Sequence, residues 1–397
     1  MPTFRNVAVG LGLAAALGGS VGSDVIAGRS HGEQAAAVSR ERMVRDRDID
    51  FFENRIARDP GGALDRVRLG AMLLGRGRDT GNPADFVRAE TEARTAIRNG
   101  SARNTGGWQL LVAATAAQHR FAEALRAADS LVRAADSTAG SRAIRGEMLV
   151  ELGRYREADQ VFGGLWPHRL EPGVGPRAAR WADVRGRPWV AAGLLESLRT
   201  RALADEFGSV SGKAWYDYRL ADLSLRYGRL GAARRYALRG LELDPDDPRL
   251  LGVVAAVAIR RGSTREAVDL AQRALAARPD PGLFALLAEV AFVERDSVGG
   301  FRYLDAARAL AGLRGPGFHR GAALALVEHG VATDEVASAA RQDVAARPDV
   351  YGWDLLAWSL FRTGHRREAL QAIDRAQVWN STDPSIERHA RLIRGGL

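Results

Sequence analysis

Residues 215–279 read WYDYRLADLSLRYGRLGAARRYALRGLELDPDDPRLLGVVAAVAIRRGSTREAVDLAQRALAARP. In this stretch Gly228 is followed 34 residues later by Gly262, Ala233 by Ala267, and Pro245 by Pro279. Three independent markers on one interval identify a repeated unit. Apolar residues recur at spacings of three and four, as in Leu220, Ala221 and Leu225 and then Ala233 and Ala237, so each unit holds two amphipathic helices. The glycine ends the first helix where a left-handed backbone is needed, and the proline stops the second. Small residues at Ala233, Ala267 and Ala369 let the paired helices approach closely. One such hairpin cannot bury its apolar face alone, so neighbours must stack.

The pattern extends in both directions. Downstream, Gly330 and Gly364 repeat the interval, and Trp353, Leu356 and Ala357 lead into FRTGHRREALQAIDRA. Upstream, Trp108 and Leu111 precede HRFAEALRAADSL, and ELGRYREADQVF follows. Nine hairpins are expected, starting near residues 63, 105, 139, 172, 214, 248, 281, 316 and 350. The first carries a longer loop, RGRDTGNPADF, and the fourth, RWADVRGRPWVAAGLLESL, fits approximately. The expected fold is all-α: a right-handed superhelical solenoid over 41–397 with capping helices. Arg40 to Asp59 is the leading helix, and Asp383 to Ile393, with Asp383 or Ser385 as N-cap, closes the far end.

The spacing resembles the tetratricopeptide repeat (TPR), whose 34-residue unit carries Trp, Leu-Gly, Tyr, Ala, Phe, Ala and Pro at set positions. Trp353, Leu356, Ala357, Leu360, Gly364, Ala369, Ile373 and Ala376 fit one unit, and Leu251, Val254, Ala255, Gly262, Ala267, Ala271, Ala274 and Pro279 fit another. Phe284, Leu287, Ala288, Leu304 and Ala307 fit a degenerate one with Gly300 in the small slot. The whole chain is also similar to exported bacterial TPR proteins of unassigned activity, through DIDFFENRIARDPGGALDRVRLGAMLLGRGRDTG, QHRFAEAL and RPDVYGWDLLAWSLFRTGHRREA. That resemblance implies no catalytic residues. The family's clamp for a terminal carboxylate uses Lys, Asn and Arg on consecutive first helices. Here Gln109, Ala113, Ala143 and Glu147 hold the matching slots, so no clamp of that kind is expected.

Composition narrows the function. The net charge of +9 comes almost wholly from arginine, since Lys213 is the one lysine. The arginines are scattered among 48 acidic residues with no interleaved aromatics, which argues against nucleic acid as a partner. With no cysteine there is no disulfide, thiol nucleophile or Cys-based metal site. At the N-terminus, Arg5, the apolar run VAVGLGLAAAL and the small residues after it read as an export signal over 1–27, cut near Gly22 or Ala27, with a linker over 28–40. The expected location is therefore periplasmic, envelope or secreted, with membrane contact only through that segment if it is not cut.

No enzyme, cofactor or metal is expected. GSVSGKAW (208–215) has three residues between its glycines where a phosphate-binding loop needs four, and reads as an inter-repeat loop. The seven histidines show no metal-ligand spacing, and His119 and His365 fall in hairpin turns. The expected role is a protein- or peptide-binding scaffold using the concave face of the solenoid. The alternative is a solenoid for a small ligand or glycan, or an accessory subunit of an enzyme encoded elsewhere. Tyr218, Asp222, Arg226, Trp358 and Arg362 are the candidate concave-face residues, with Trp353 assigned to the core.

Overall fold

The structure, a computed structural model, describes residues 21–100, 103–206, 208–313, 318–379 and 381–395. Among these residues there are twenty α-helices, one short 3-10 turn and no strand. A leading helix, α1 (Val21–Arg58), is followed by nine antiparallel pairs. These are α2 (Ala63–Thr80) with α3 (Pro83–Asn99), α4 (Thr105–Ala117) with α5 (Phe121–Ala134), and α6 (Ala139–Glu151) with α7 (Tyr155–Gly164). Next come α8 (Gly175–Val184) with α9 (Pro188–Ala204), α10 (Val210–Arg226) with α11 (Leu230–Leu241), and α12 (Pro248–Arg260) with α13 (Thr264–Ala277). The last three pairs are α14 (Pro281–Val293) with α15 (Ser297–Leu310), α16 (Arg320–Glu328) with α17 (Thr333–Ala346), and α18 (Val350–Arg362) with α19 (Arg366–Gln377). The final helix, α20 (Pro384–Gly395), caps the array, and the Asp383 carboxylate accepts the Ser385 N–H at its start.

The repeat logic is met in detail. Gly228, Gly262 and Gly364 adopt φ of 70°, 79° and 84° directly after their first helices. Ala233, Ala267 and Ala369 are fully buried where paired helices cross. The largest buried core runs from Ile49 in α1 to Ile393 in α20, and three smaller clusters fill α10 to α14.

Three local expectations are corrected. The RGRDTGNPADF segment is not a long loop, because α2 continues to Thr80 and only Gly81 and Asn82 separate it from α3. Gly81 ends α2 in left-handed geometry and Asn82 caps α3 through the Ala84 N–H, so a two-residue turn suffices. Likewise, Val210 to Trp215 form the start of α10, capped by Ser209 on the Gly212 N–H, and are not loop. Residues 28–40 belong to α1 and are not a linker, and Val38 is already buried. The apolar export-signal stretch lies outside the described residues; 21–27 begin α1.

The solenoid closes on itself. The Val350 N–H donates to the Tyr155 hydroxyl at 2.8 Å, and Trp379 packs on Tyr155 and Trp181 at 5.6 and 6.2 Å between ring centres. Arg226 pairs with Asp383 at 3.2 Å. Further out, Arg278 donates to the carbonyl of Arg78 and the Val210 N–H donates to Glu41. The last hairpins thus contact the middle ones across the array.

An interior chamber as the candidate functional site

Two half-open pockets, of about 760 and 630 Å³, lie between the middle and the ends of the array. Both touch Glu151. Nearby, the carbonyl of Pro348 lies so close to Gly153, itself at φ 66°, that a Cβ there would stand 2.2 Å from it. Arg347 stacks over Phe121 at 4.8 Å at the same waist.

The smaller cavity is lined by arginines that are already satisfied. Arg226 reaches Asp183 at 2.7 Å, Asp383 at 3.2 Å and Asp222 at 3.4 Å. Arg320 holds Asp343 and Asp349, both at 2.6 Å, and Arg347 holds Asp349 at 2.9 Å. For Arg180 burial disfavours the charge, yet Tyr351, Glu151 and Asp183 outweigh it and lift its pKa above the ordinary arginine value. Arg226 behaves in the same way, with Tyr351, Asp222 and Asp183 as the opposing groups. Cations stabilised this strongly mark a balanced ionic latch between the middle and the end of the chain.

The larger chamber is different. One wall comes from the end of α2, from α4 and from α6; the opposite wall comes from the start of α12, the end of α13 and the residue before α16. Four arginines, two histidines and two glutamates line it. Arg177 is neutralised by Glu147 at 2.8 Å and Arg249 by Asp247 at 2.5 Å, while Arg278 reaches Asp280 only at 3.4 Å. Glu151 serves Arg347 and Arg180 at 3.7 and 3.9 Å. The guanidinium of Arg78 forms no ion pair or hydrogen bond among the described residues. The protein packed around it pulls its pKa below the ordinary arginine value, although the side chain itself remains exposed; Arg177 and Arg249 add to this, and Glu147 and Asp79 partly oppose it. His119 reports the same field. Burial first, and then Arg347, Arg320 and His319, bring its pKa down to about 4. Two different groups, both exposed, are thus penalised for being positive beside one pocket. The remainder of the lining is apolar, including Phe86, Val112, Ala113, Ile144 and Met148.

Local structure explains these placements. His119 stands exposed in the α4–α5 turn at φ 59°, its ring 5.8 Å from that of Phe121. His319 caps α16, its Nδ1 accepting the Ala322 N–H at 3.1 Å, so its proton is on Nε2 and available to a guest. Gln109, Ala113 and Glu147, three of the four slots where a carboxylate clamp would stand, do line the chamber. They offer room and not cations; the positive charge arrives from α2 and from across the axis.

The residues singled out from sequence are scattered by the fold. Trp358 is a correction: it is 4% exposed, in the core between α18 and α20, stacked on His389 at 4.4 Å. Its position on α18 faces the capping helix, which covers what would otherwise be open surface. Trp353, assigned to the core, is half-buried with Arg375 over its ring at 5.1 Å. Asp222 and Arg226 belong to the latch around the smaller cavity. Tyr218 lies under Arg249 at 5.1 Å, and Arg362 is exposed, donating to the Glu328 carbonyl. Sequence reasoning missed Arg78, His119, Arg249, Arg278 and His319. They are separated by up to 241 positions in the chain and share no motif.

Comparison with solved structures agrees with the fold. Human IFIT1, solved as a dimer with PPP-AAAA, is similar at 14% identity over 79% of this chain and 72% of that one, with a TM-score of 0.51. A tetratricopeptide repeat protein of Parabacteroides merdae aligns at 15% identity over 60% and 92% (TM-score 0.43), and yeast Tom70 at 12% over 94% and 96% (TM-score 0.38). No family model and no curated protein matches the chain. The fold is a solenoid of the tetratricopeptide type.

Proposed function

We propose that this chain is a non-catalytic binding protein that holds an acidic segment of a partner protein in the larger interior chamber. The observation that carries this reading is the positive lining of that pocket: four arginines and two histidines stand against two glutamates, and Arg78 has no ion pair or hydrogen bond among the described residues. Cations gathered along one cleft focus their field there and attract anions more strongly than the same cations scattered on an open surface. An exported location is part of the proposal and rests on the N-terminal segment alone.

The test is fluorescence anisotropy with a labelled decaglutamate peptide, against neutral and basic peptides of equal length. Decaglutamate should bind, weaken with added salt, and lose about tenfold or more in affinity for Arg78→Ala combined with Arg278→Ala, as for lost charge-assisted contacts. If that double variant binds as the parent does, the chamber is not the site.

A further inference from the structure

The two ends of the array are finished differently. At the far end α20 turns Glu387, Arg388, Arg391 and Arg394 outward and keeps Ile386, Leu392 and Ile393 in or against the core. That is the polar outer face a repeat array needs where it stops. At the near end α1 buries Val38, Ile49 and Phe52, yet leaves Met43, Val44 and Phe51 more than half exposed on its outer side. We infer that the outer face of α1 is an interface for a helix of another protein, one that carries carboxylates and apolar residues along a single line. None of the residues on this face lines the pocket assigned above to an acidic segment.

Arg40, Val44, Arg47, Phe51, Asn54 and Arg58 follow one another at alternating steps of four and three. On a helix such steps keep side chains on one line, here about 27 Å long at about 1.5 Å per residue. The guanidiniums of Arg40, Arg47 and Arg58 are exposed and form no ion pair or hydrogen bond among the described residues. Arg55, beside the line, is already used: it reaches Asp65 at 2.8 Å and lies 5.7 Å from the centre of the Phe51 ring.

The charges select the occupant. Cations and apolar groups share the line with no acidic residue on it, so a partner must bring apolar groups and the opposite charge. A second copy of this chain does not: two α1 faces would set arginine against arginine, and α20 exposes three arginines beside one glutamate. A lipid surface fits worse than a rod. Glu41 and Asp48 flank the line on one side, Asp46 and Asp50 on the other, and a plane laid on α1 would meet these carboxylates. A helix lies between the flanks and turns them to use, with lysine or arginine at its own edges as in a coiled coil. On one side Arg40, Val44 and Asp48 border a half-open pocket of about 630 Å³ with Glu206 and Ser209, which gives such a lysine a place to reach.

The probe is a labelled synthetic peptide of three heptads with Leu at one core position, Glu at the other and Lys at the flanks, titrated with the full chain by fluorescence anisotropy. Its control carries Lys at the core in place of Glu. The acidic peptide should bind one per chain, and the control at least tenfold more weakly. Phe51→Ser and Arg47→Glu should each weaken the acidic peptide at least tenfold with unchanged circular dichroism and thermal midpoint, since both side chains are exposed. Arg47→Glu should also tighten the control, a reversal that a merely structural role would not produce. Arg78→Ala with Arg278→Ala should leave the affinity as it is, so this surface and the pocket fail separately. No binding, equal binding of the two peptides, or parental affinity in Phe51→Ser would overturn the interface. So would binding of the chain to phosphatidylglycerol vesicles that Arg47→Glu and Phe51→Ser release, which assigns the face to a bilayer. A dimer in sedimentation velocity that Phe51→Ser dissolves would overturn it too, in favour of a second copy.

Discussion

Asp217 illustrates how much of this molecule rests on single buried side chains. It is fully buried on α10, gripped by Arg199 from α9 at 2.8 Å and by Arg239 from α11 at 2.5 Å, so three helices meet on one carboxylate. Removing one partner of a buried ionic cluster strands the others. Asp217→Ala should therefore cost about 3–5 kcal/mol, read as a lower denaturation midpoint in urea. Small residues act by the opposite logic. Ala267 and Ala369 have no free space, so replacing either with Leu should overpack the crossing and cost about 1–3 kcal/mol in the same assay. Trp358→Ala empties a core site and should cost about 3–5 kcal/mol; a variant as stable as the parent would return Trp358 to the surface. The period in the sequence identified the two alanines correctly, because a helix crossing leaves a spacing signature. It misplaced Trp358, because the side of a helix that a terminal cap covers leaves none.

Among the helices, α20 shows how a cap is fastened. His389, fully buried on α20, sits 2.9 Å from Asp354 on α18 and 3.5 Å from Glu328 on α16, under the Trp358 ring. Burial lowers its pKa, but the bonds to Asp354 and Glu328 outweigh this and raise it above the usual histidine value. Arg388 beside it opposes the proton and also pairs with Glu328, whose own pKa is lowered although burial works to raise it. The sign follows from linkage: a group whose folded pKa is raised adds stability fully present below its unfolded value near 6.5, and that stability is lost as pH rises through the folded value. Docking of α20 should therefore weaken on going from pH 6 towards pH 8. Amide hydrogen exchange over 384–395, corrected for intrinsic pH effects, should show falling protection. His389→Gln should remove the pH dependence, and protection independent of pH in the parent would refute the assignment. Only the ends of α20 could be read from sequence, from Asp383 and the apolar spacing; the two carboxylates that hold His389 lie 35 and 61 residues away.

For the chain as a whole the decisive contact is the waist. Gly153 is needed twice over, for its positive φ and because any Cβ would strike the Pro348 carbonyl. Gly153→Val should push the last hairpins off the middle ones, breaking the Tyr155–Val350 hydrogen bond and merging the two cavities. Small-angle scattering should report a larger radius of gyration, while helix content by circular dichroism stays nearly constant. Affinity for acidic ligands should fall as well, since Arg249, Arg278 and His319 would no longer face Arg78 across one pocket. An unchanged scattering curve would mean that closure does not depend on this contact.

Repetition alone determined the architecture. Nine hairpins, their turn glycines, their crossing alanines and a capped end are all written at short range, since a helix is specified by neighbours three and four residues apart and a repeat by one period. What the interior does is a different kind of fact. Arg78, His119, Arg249 and Arg278 acquire meaning only when α12 and α13 come round to face α2 and α4, and each is an ordinary polar residue in its own hairpin. Curvature accumulates from small angles between successive pairs, set by side-chain volumes at every interface, and no local pattern encodes their sum. Tertiary structure alone therefore decided which arginines are neutralised in the latch and which one is left open to a guest.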